Sequence, residues 1–174
     1  MKEQFQQKCE VAMSQIPNYR EWEAQKDDEG KMVHEVLQAG RALFDKPLDQ
    51  WSPDALIRLG GRLAGAFGYL GQMSAYARAE RDVYAQKLSE TEKSLTLEYL
   101  SEDKKYKVTE VRARVEGDVQ ELQELVIQKE AKKNQWENLL EACRTMIMFT
   151  QSALKSKEGE RYQSSRTNNQ ENQD

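Results

Sequence analysis

Histidine occurs once, cysteine twice and proline three times in these 174 residues. The lone histidine, His34, has no Cys, Asp or Glu at ligand spacing, so the pattern holds no metal site. Cys9 and Cys143 lie far apart beside apolar helical positions, which reads as two buried, reduced thiols. No run of about 18 apolar residues occurs, so no membrane span is expected. The start "MKEQFQQKCEVAMSQ" lacks the apolar core of a signal peptide, and a cytoplasmic protein is expected. With only 9 Gly and 3 Pro, the chain is short of the residues that punctuate strands and turns. Its abundant Glu, Lys, Gln, Ala and Leu predict an all-α protein.

Charged residues make up 32% and hydrophobic ones 38%, with a mean hydropathy of -0.91. That balance implies a thin core for the length, so packing of helices against further copies is expected. The formal net charge of -4 argues against a general polyanion binder unless the charges are segregated.

Two short helices are expected over residues 1–50. The first places Phe5, Cys9, Ala12 or Met13, and Ile16 on one face and stops at Pro17. The second carries Val33, Val36, Leu37, Gly40 and Leu43-Phe44 and ends before Pro47. This part is acidic, with 7 basic and 10 acidic residues. A core of two long helices follows over 51–158, an elongated helical hairpin or bundle. Its opening "WSPDAL" offers Ser52 as a cap, Pro53 in the first turn and Asp54 at the positive helix end. Leu56, Leu59, Leu63, Phe67 and Leu70 then recur every three or four residues.

Gly61, Gly65, Gly68 and Gly71, with Ala64 and Ala75, form a small-residue edge on the same helix. Glycine costs about 0.5–1 kcal/mol in a helix interior, so a repeated edge needs a reason. Close approach of another helix, in this chain or a neighbouring copy, is the preferred one, and a local bend is the other. The hairpin break is expected near 101–107. Beyond it Val108, Val111, Val115, Val119, Leu122 and Val126 step along one helix. Lys129 and Lys133 interrupt the stripe, and Trp136, Leu140, Cys143, Ile147, Thr150 and Leu154 resume it, a broken heptad suited to a bundle or oligomer seam. Residues 159–174, "GERYQSSRTNNQENQD" in the main, are polar and aperiodic and predict a disordered tail.

No catalytic constellation emerges. "RLGGRLAGAFG" has a helical rhythm and lacks the Lys-Ser/Thr of a phosphate loop. The histidine has no nucleophile beside it, and the acids spread over solvated faces. Neither an enzyme nor a cofactor is expected; binding and assembly are.

Two readings compete for "SAYARAERDVYAQKL". Arg78, Arg81 and Lys87 fall broadly together on a helix, with Tyr69, Tyr76 and Tyr84 alongside. Segregated cations with aromatics suit a single-stranded nucleic acid, whose bases stack at ~1–3 kcal/mol each. Lys104, Lys105, Lys107, Arg112 and Arg114, with Tyr106, form a second such cluster, and 102–115 hold five basic and three acidic residues. The plainer reading is a solvated helix face, since Glu80 and Asp82 intervene and Arg78 and Asp82 are an i,i+4 pair.

The run "NQWENLLEACRTMIMFTQSALKSK", with Trp136, Leu139-Leu140 and Cys143 ahead of Lys155 and Lys157, resembles the end of UvsY-type recombination mediator proteins of T-even-like phages. "YARAERDVY" looks like that family's basic Lys/Arg-Ala-x-x-Asp segment. The likeness covers about residues 70–157. It implies a phage protein in the host cytoplasm, assembled as a ring-like homo-oligomer that binds single-stranded DNA. Such a protein helps a RecA-type recombinase displace single-strand binding protein. Arg78 corresponds best to the family's DNA-contacting residue, and Arg81 is a looser match. The alternative is a helical scaffold or adaptor that binds only proteins.

Overall fold

A computed structural model of the chain describes residues 28–102 and 107–171, with side chains over 32–101 and 107–159. Every regular element among them is helical: α1 (Asp28–Asp45), a 3-10 turn (Leu48–Gln50), α2 (Pro53–Glu102), α3 (Val108–Asp118) and α4 (Gln120–Glu171). The protein is all-α, as its composition predicts. The first expected short helix lies outside the described residues; the second is α1 and stops before Pro47.

The described chain falls into two compact units, 28–71 with 137–171, and 72–136. The first is a three-helix bundle of α1, the start of α2 and the latter part of α4. The Ala55 N–H donates to Ser52 Oγ at 3.1 Å, so the cap anticipated from "WSPD" is made. From there Leu56, Leu59, Leu63 and Leu70 are buried, along with Val33, Val36, Leu37, Leu43 and Phe44 of α1. Phe44 and Phe149 meet with ring centroids 5.0 Å apart. Gly40 lies in close contact with the neighbouring helices: a Cβ there would lie 2.5 Å from Met146 Sδ and 3.2 Å from Leu63 Cδ2.

The buried positions of α4 depart by one step from the expected stripe. Trp136 and Cys143 are buried, but Leu140 and Ile147 are only half-buried, and Leu139, Ala142, Met146, Phe149 and Ala153 take the interior. Either neighbour of each pair suits the alternation of three and four, and packing against two helices selects the phase. Thr150 is buried too, its hydroxyl donating to the Met146 carbonyl at 2.8 Å. The Cys143 thiol is buried and donates to the Leu63 carbonyl at 3.3 Å. Cys9 lies outside the described residues.

The second unit is a helical hairpin. The latter part of α2 runs antiparallel to α3 and the start of α4, with Glu80 meeting Lys129 and Tyr99 meeting Asp118. α2 ends at Glu102 and α3 begins at Val108, which agrees with the expected break. Glu110 Oε2 accepts from the Lys107 N–H at 3.4 Å across the first turn of α3. Val111, Val115 and Val119 pack with Leu88, Leu95 and Tyr99. The predicted single helix from 108 onward is interrupted at Val119, whose φ of -100° and ψ of 2° end α3 after Gly117-Asp118. The bonds from Val119 N–H to Val115 O and from Gln123 N–H to Val119 O continue across it.

The expected disordered tail is also corrected. α4 continues through 159–171 to Glu171. Extending a formed helix adds one bond per residue, so propagation needs no apolar stripe once packing has nucleated it.

Candidate interaction surfaces

Arg81 is drawn into a network inside the hairpin unit. Its Nη1 donates to Asp82 at 2.8 Å, and its Nε lies 2.7 Å from Glu130 Oε2. That second contact is a charge pair, because Nε is not aligned for a hydrogen bond. Lys133 reaches Glu130 at 2.6 Å. Glu80 receives Lys129 at 2.6 Å and Lys132 at 3.6 Å. The ammonium of Lys129 also lies 5.2 Å from the centre of the Tyr84 ring.

These contacts leave their mark on protonation. The hydrogen bond from Lys129 holds the Glu80 carboxyl below the usual range, and the same bond lifts Lys129 above its own. The hydrogen bond from Lys133 and the nearby charge of Arg81 hold Glu130 below the usual range as well. Lys129, which breaks the apolar stripe in sequence, therefore joins α4 to α2, while Lys133 pairs with Glu130 within α4. The interruption of the stripe carries the signal, but nothing in sequence names Glu80 as the partner of Lys129.

The other expected cations with described side chains are exposed. Arg78 is exposed and already engaged in an interaction. Lys87 and Lys107 are exposed. Arg112 is 81% exposed and pairs with Glu116 at 3.3 Å, and the Arg114 guanidinium lies 5.2 Å from the Tyr99 ring centre. The Tyr99 hydroxyl donates to Asp118, and that bond raises the phenol above its ordinary pKa. Lys104 and Lys105 lie outside the described residues. Residues 72–136 hold 12 basic and 13 acidic side chains, so the hairpin has no electrostatic bias of either sign.

Gly61, Gly65 and Gly68 are exposed, and a Cβ at any of them would meet nothing within 4 Å. The close approach expected at this edge is therefore not made by the described part of this chain. Gly60, one residue away, does meet Thr150, whose Cγ2 would lie 3.6 Å from a Cβ. Helix phase turns Gly60 partly inward and the other three to solvent.

The apolar surface of the hairpin is the feature that the sequence stripe conceals. Among the described residues 72–136, Tyr76, Val83, Leu97, Leu100, Val108, Leu125 and Ile127 are exposed, against Val111, Val115, Val119 and Trp136 as buried large apolar side chains. Tyr76, Val83 and Leu97 stand at seven-residue spacing along α2, with the exposed Glu90 at the intervening position, on the side away from the packed Leu88 and Leu95. Beside it, an open pocket of about 510 Å³ is lined by Leu100, Val108, Val111 and Val115, with Glu92, Arg112 and Glu116 among its polar walls.

Among the described residues no cluster of three or more His, Cys, Asp or Glu could hold a metal, and no helix is long and apolar enough to cross a membrane. Comparison with protein-family models, with curated proteins and with solved structures returns no match for this chain.

Proposed function

We propose that this chain is a non-enzymatic assembly module whose helical hairpin associates with the hairpin of a second copy. The observation that carries the reading is the outward line of Tyr76, Val83 and Leu97 on α2, with Leu100 and Val108 nearby. A two-helix hairpin has one internal seam, so apolar residues at heptad spacing on its outer side find no cover among the described residues. Exposed apolar surface of this kind favours a protein partner over water. A second copy is the fitting occupant because the polar walls carry both signs, Arg112 beside Glu92 and Glu116. A two-fold interface must complement itself, and a mixed-sign surface does so.

The test is mass in solution. Light scattering on the full chain at micromolar concentration should report at least a dimer. Val83→Glu with Leu97→Glu should shift it to the monomer with helicity retained. A wild-type monomer would end the proposal.

A second reading, a mediator that binds single-stranded DNA and helps a RecA-type recombinase displace single-strand binding protein, is favoured by the exposure of Lys107, Arg112 and Arg114 within one short stretch. Assembly into a ring would multiply that weak strip by effective concentration. Low-salt fluorescence anisotropy on a single-stranded oligonucleotide separates the readings. A mediator binds with steep salt dependence and weakens on Arg112→Gln with Arg114→Gln. A purely structural module shows no binding.

A further inference from the structure

The outward side of α2 in the hairpin unit forms a complete heptad seam. Tyr76, Val83, Glu90 and Leu97 hold one set of its positions, and Ala79, Gln86, Lys93 and Leu100 hold the set three residues further on; all eight are exposed. Leu88, Leu95 and Tyr99, which pack toward α3, lie on the other side of the helix. The order of residues along the seam is close to a mirror image. Tyr76, Ala79 and Val83 make one end apolar, Leu97 and Leu100 make the other apolar, and Gln86, Glu90 and Lys93 make the middle polar. The midpoint between Tyr76 and Leu100 falls at Leu88.

We infer that the second copy lies antiparallel along this seam, with the two-fold axis passing near Leu88. The inference rests on the hairpin association proposed above and adds its direction and register. In this register Tyr76 faces Leu100 of the second copy, Ala79 faces its Leu97, Val83 faces the aliphatic stem of its Lys93, and Gln86 faces its Glu90. Every large apolar residue of the seam is then covered, whereas a shift by one layer leaves Tyr76 or Leu100 without an apolar partner. Charge points the same way. Asp82 and Lys87 flank the seam on opposite sides and are exposed, as are Glu90 and Lys93. Antiparallel alignment brings Lys87 beside Glu90 of the second copy and Lys93 beside its Asp82, and symmetry makes each pair twice. Parallel alignment sets Glu90 against Glu90 and Lys93 against Lys93, and keeps only Lys87 near Asp82 as an opposite pair. Like charges facing each other select against that arrangement.

The experiment measures distances between copies by pulsed electron paramagnetic resonance on the full chain. A nitroxide is attached at Ser94→Cys or, separately, at Glu98→Cys, both exposed and beside the seam, in a Cys9→Ser, Cys143→Ala background. With a rise of about 1.5 Å per residue and axes about 8–10 Å apart, the two labels of an antiparallel pair should stand about 20 Å apart at Ser94 and about 30 Å at Glu98. Equal, short distances at both sites would mean parallel pairing and overturn the inference while leaving hairpin association standing. A monomer by light scattering, with no coupling between labels, would end the association itself. Charge exchange gives a second readout. Lys87→Glu should weaken dimerisation about tenfold, since two contacts turn repulsive, and Glu90→Lys added to it should recover most of that loss. A loss that Glu90→Lys leaves in place overturns the pairing, because a parallel dimer would still set the new Glu beside Asp82.

Discussion

Replacing Gly61, Gly65 and Gly68 together by alanine asks whether the small-residue edge of α2 is free or covered. In an exposed helix interior each Gly→Ala exchange should stabilise by about 0.5–1 kcal/mol, because alanine has less backbone freedom to lose. The space around all three is open, so no clash offsets this gain. Taken additively, the triple variant should gain roughly 1.5–3 kcal/mol, or about 3–12 °C in melting temperature for a chain of this size. Gly40→Ala is the internal control. Its methyl would lie 2.5 Å from Met146 Sδ and 3.2 Å from Leu63 Cδ2. Overpacking of this kind costs about 1–3 kcal/mol, so after the helix gain of about 0.5–1 kcal/mol the variant should gain nothing and lose up to about 2.5 kcal/mol. Urea unfolding followed by circular dichroism at 222 nm measures both. The reasoning fails if the triple variant is destabilised, and a loss that grows with protein concentration would place the glycine edge between copies.

Two further outcomes follow from the packing and the charge network. Met146 is fully buried, so Met146→Ala should cost about 2–5 kcal/mol, and Gly40→Ala added to it should do less harm than in the wild type; equal harm in both backgrounds would refute the contact. The Glu80–Lys129 pair should give the hairpin a pH window. Glu80 has a lowered folded pKa, so its contribution is present above the ordinary carboxylate value and lost as pH falls through the folded one. Lys129 has a raised pKa, so its contribution is present below the ordinary lysine value and lost as pH rises through the folded one. Glu80→Gln should remove about 0.2–1 kcal/mol at neutral pH, the range for partly exposed pairs, and flatten both edges in a pH series of urea midpoints.

Periodicity carried much of the architecture. Leu56, Leu59, Leu63 and Leu70 are buried as their spacing required, the Ser52 cap stands where capping chemistry put it, and α2 ends at Glu102 near the expected break. The small errors have one cause. Leu139 and Leu140, like Met146 and Ile147, are adjacent apolar residues, and an amphipathic stripe leaves their choice to the neighbour that packs against it. Arg81 shows the same limit for charge. The pattern placed it beside Arg78 and Lys87 on a cationic strip, whereas Glu130, 49 positions away, claims it. Trp51 had no periodic neighbour to draw attention to it, and its buried indole nitrogen, without an acceptor among the described residues, is visible only in three dimensions.

What the residues alone determined is a helical chain: few glycines and prolines, long runs of good helix formers, and apolar side chains every three or four positions. These are local properties, since each depends on neighbours within a turn or two. Which apolar face closes and which arginine is tied to a carboxylate depend on residues brought together across the chain. Tyr76, Val83 and Leu97 illustrate the division. Their spacing matches that of a core stripe, and only the packing of α2 against α3 and α4 leaves them in water.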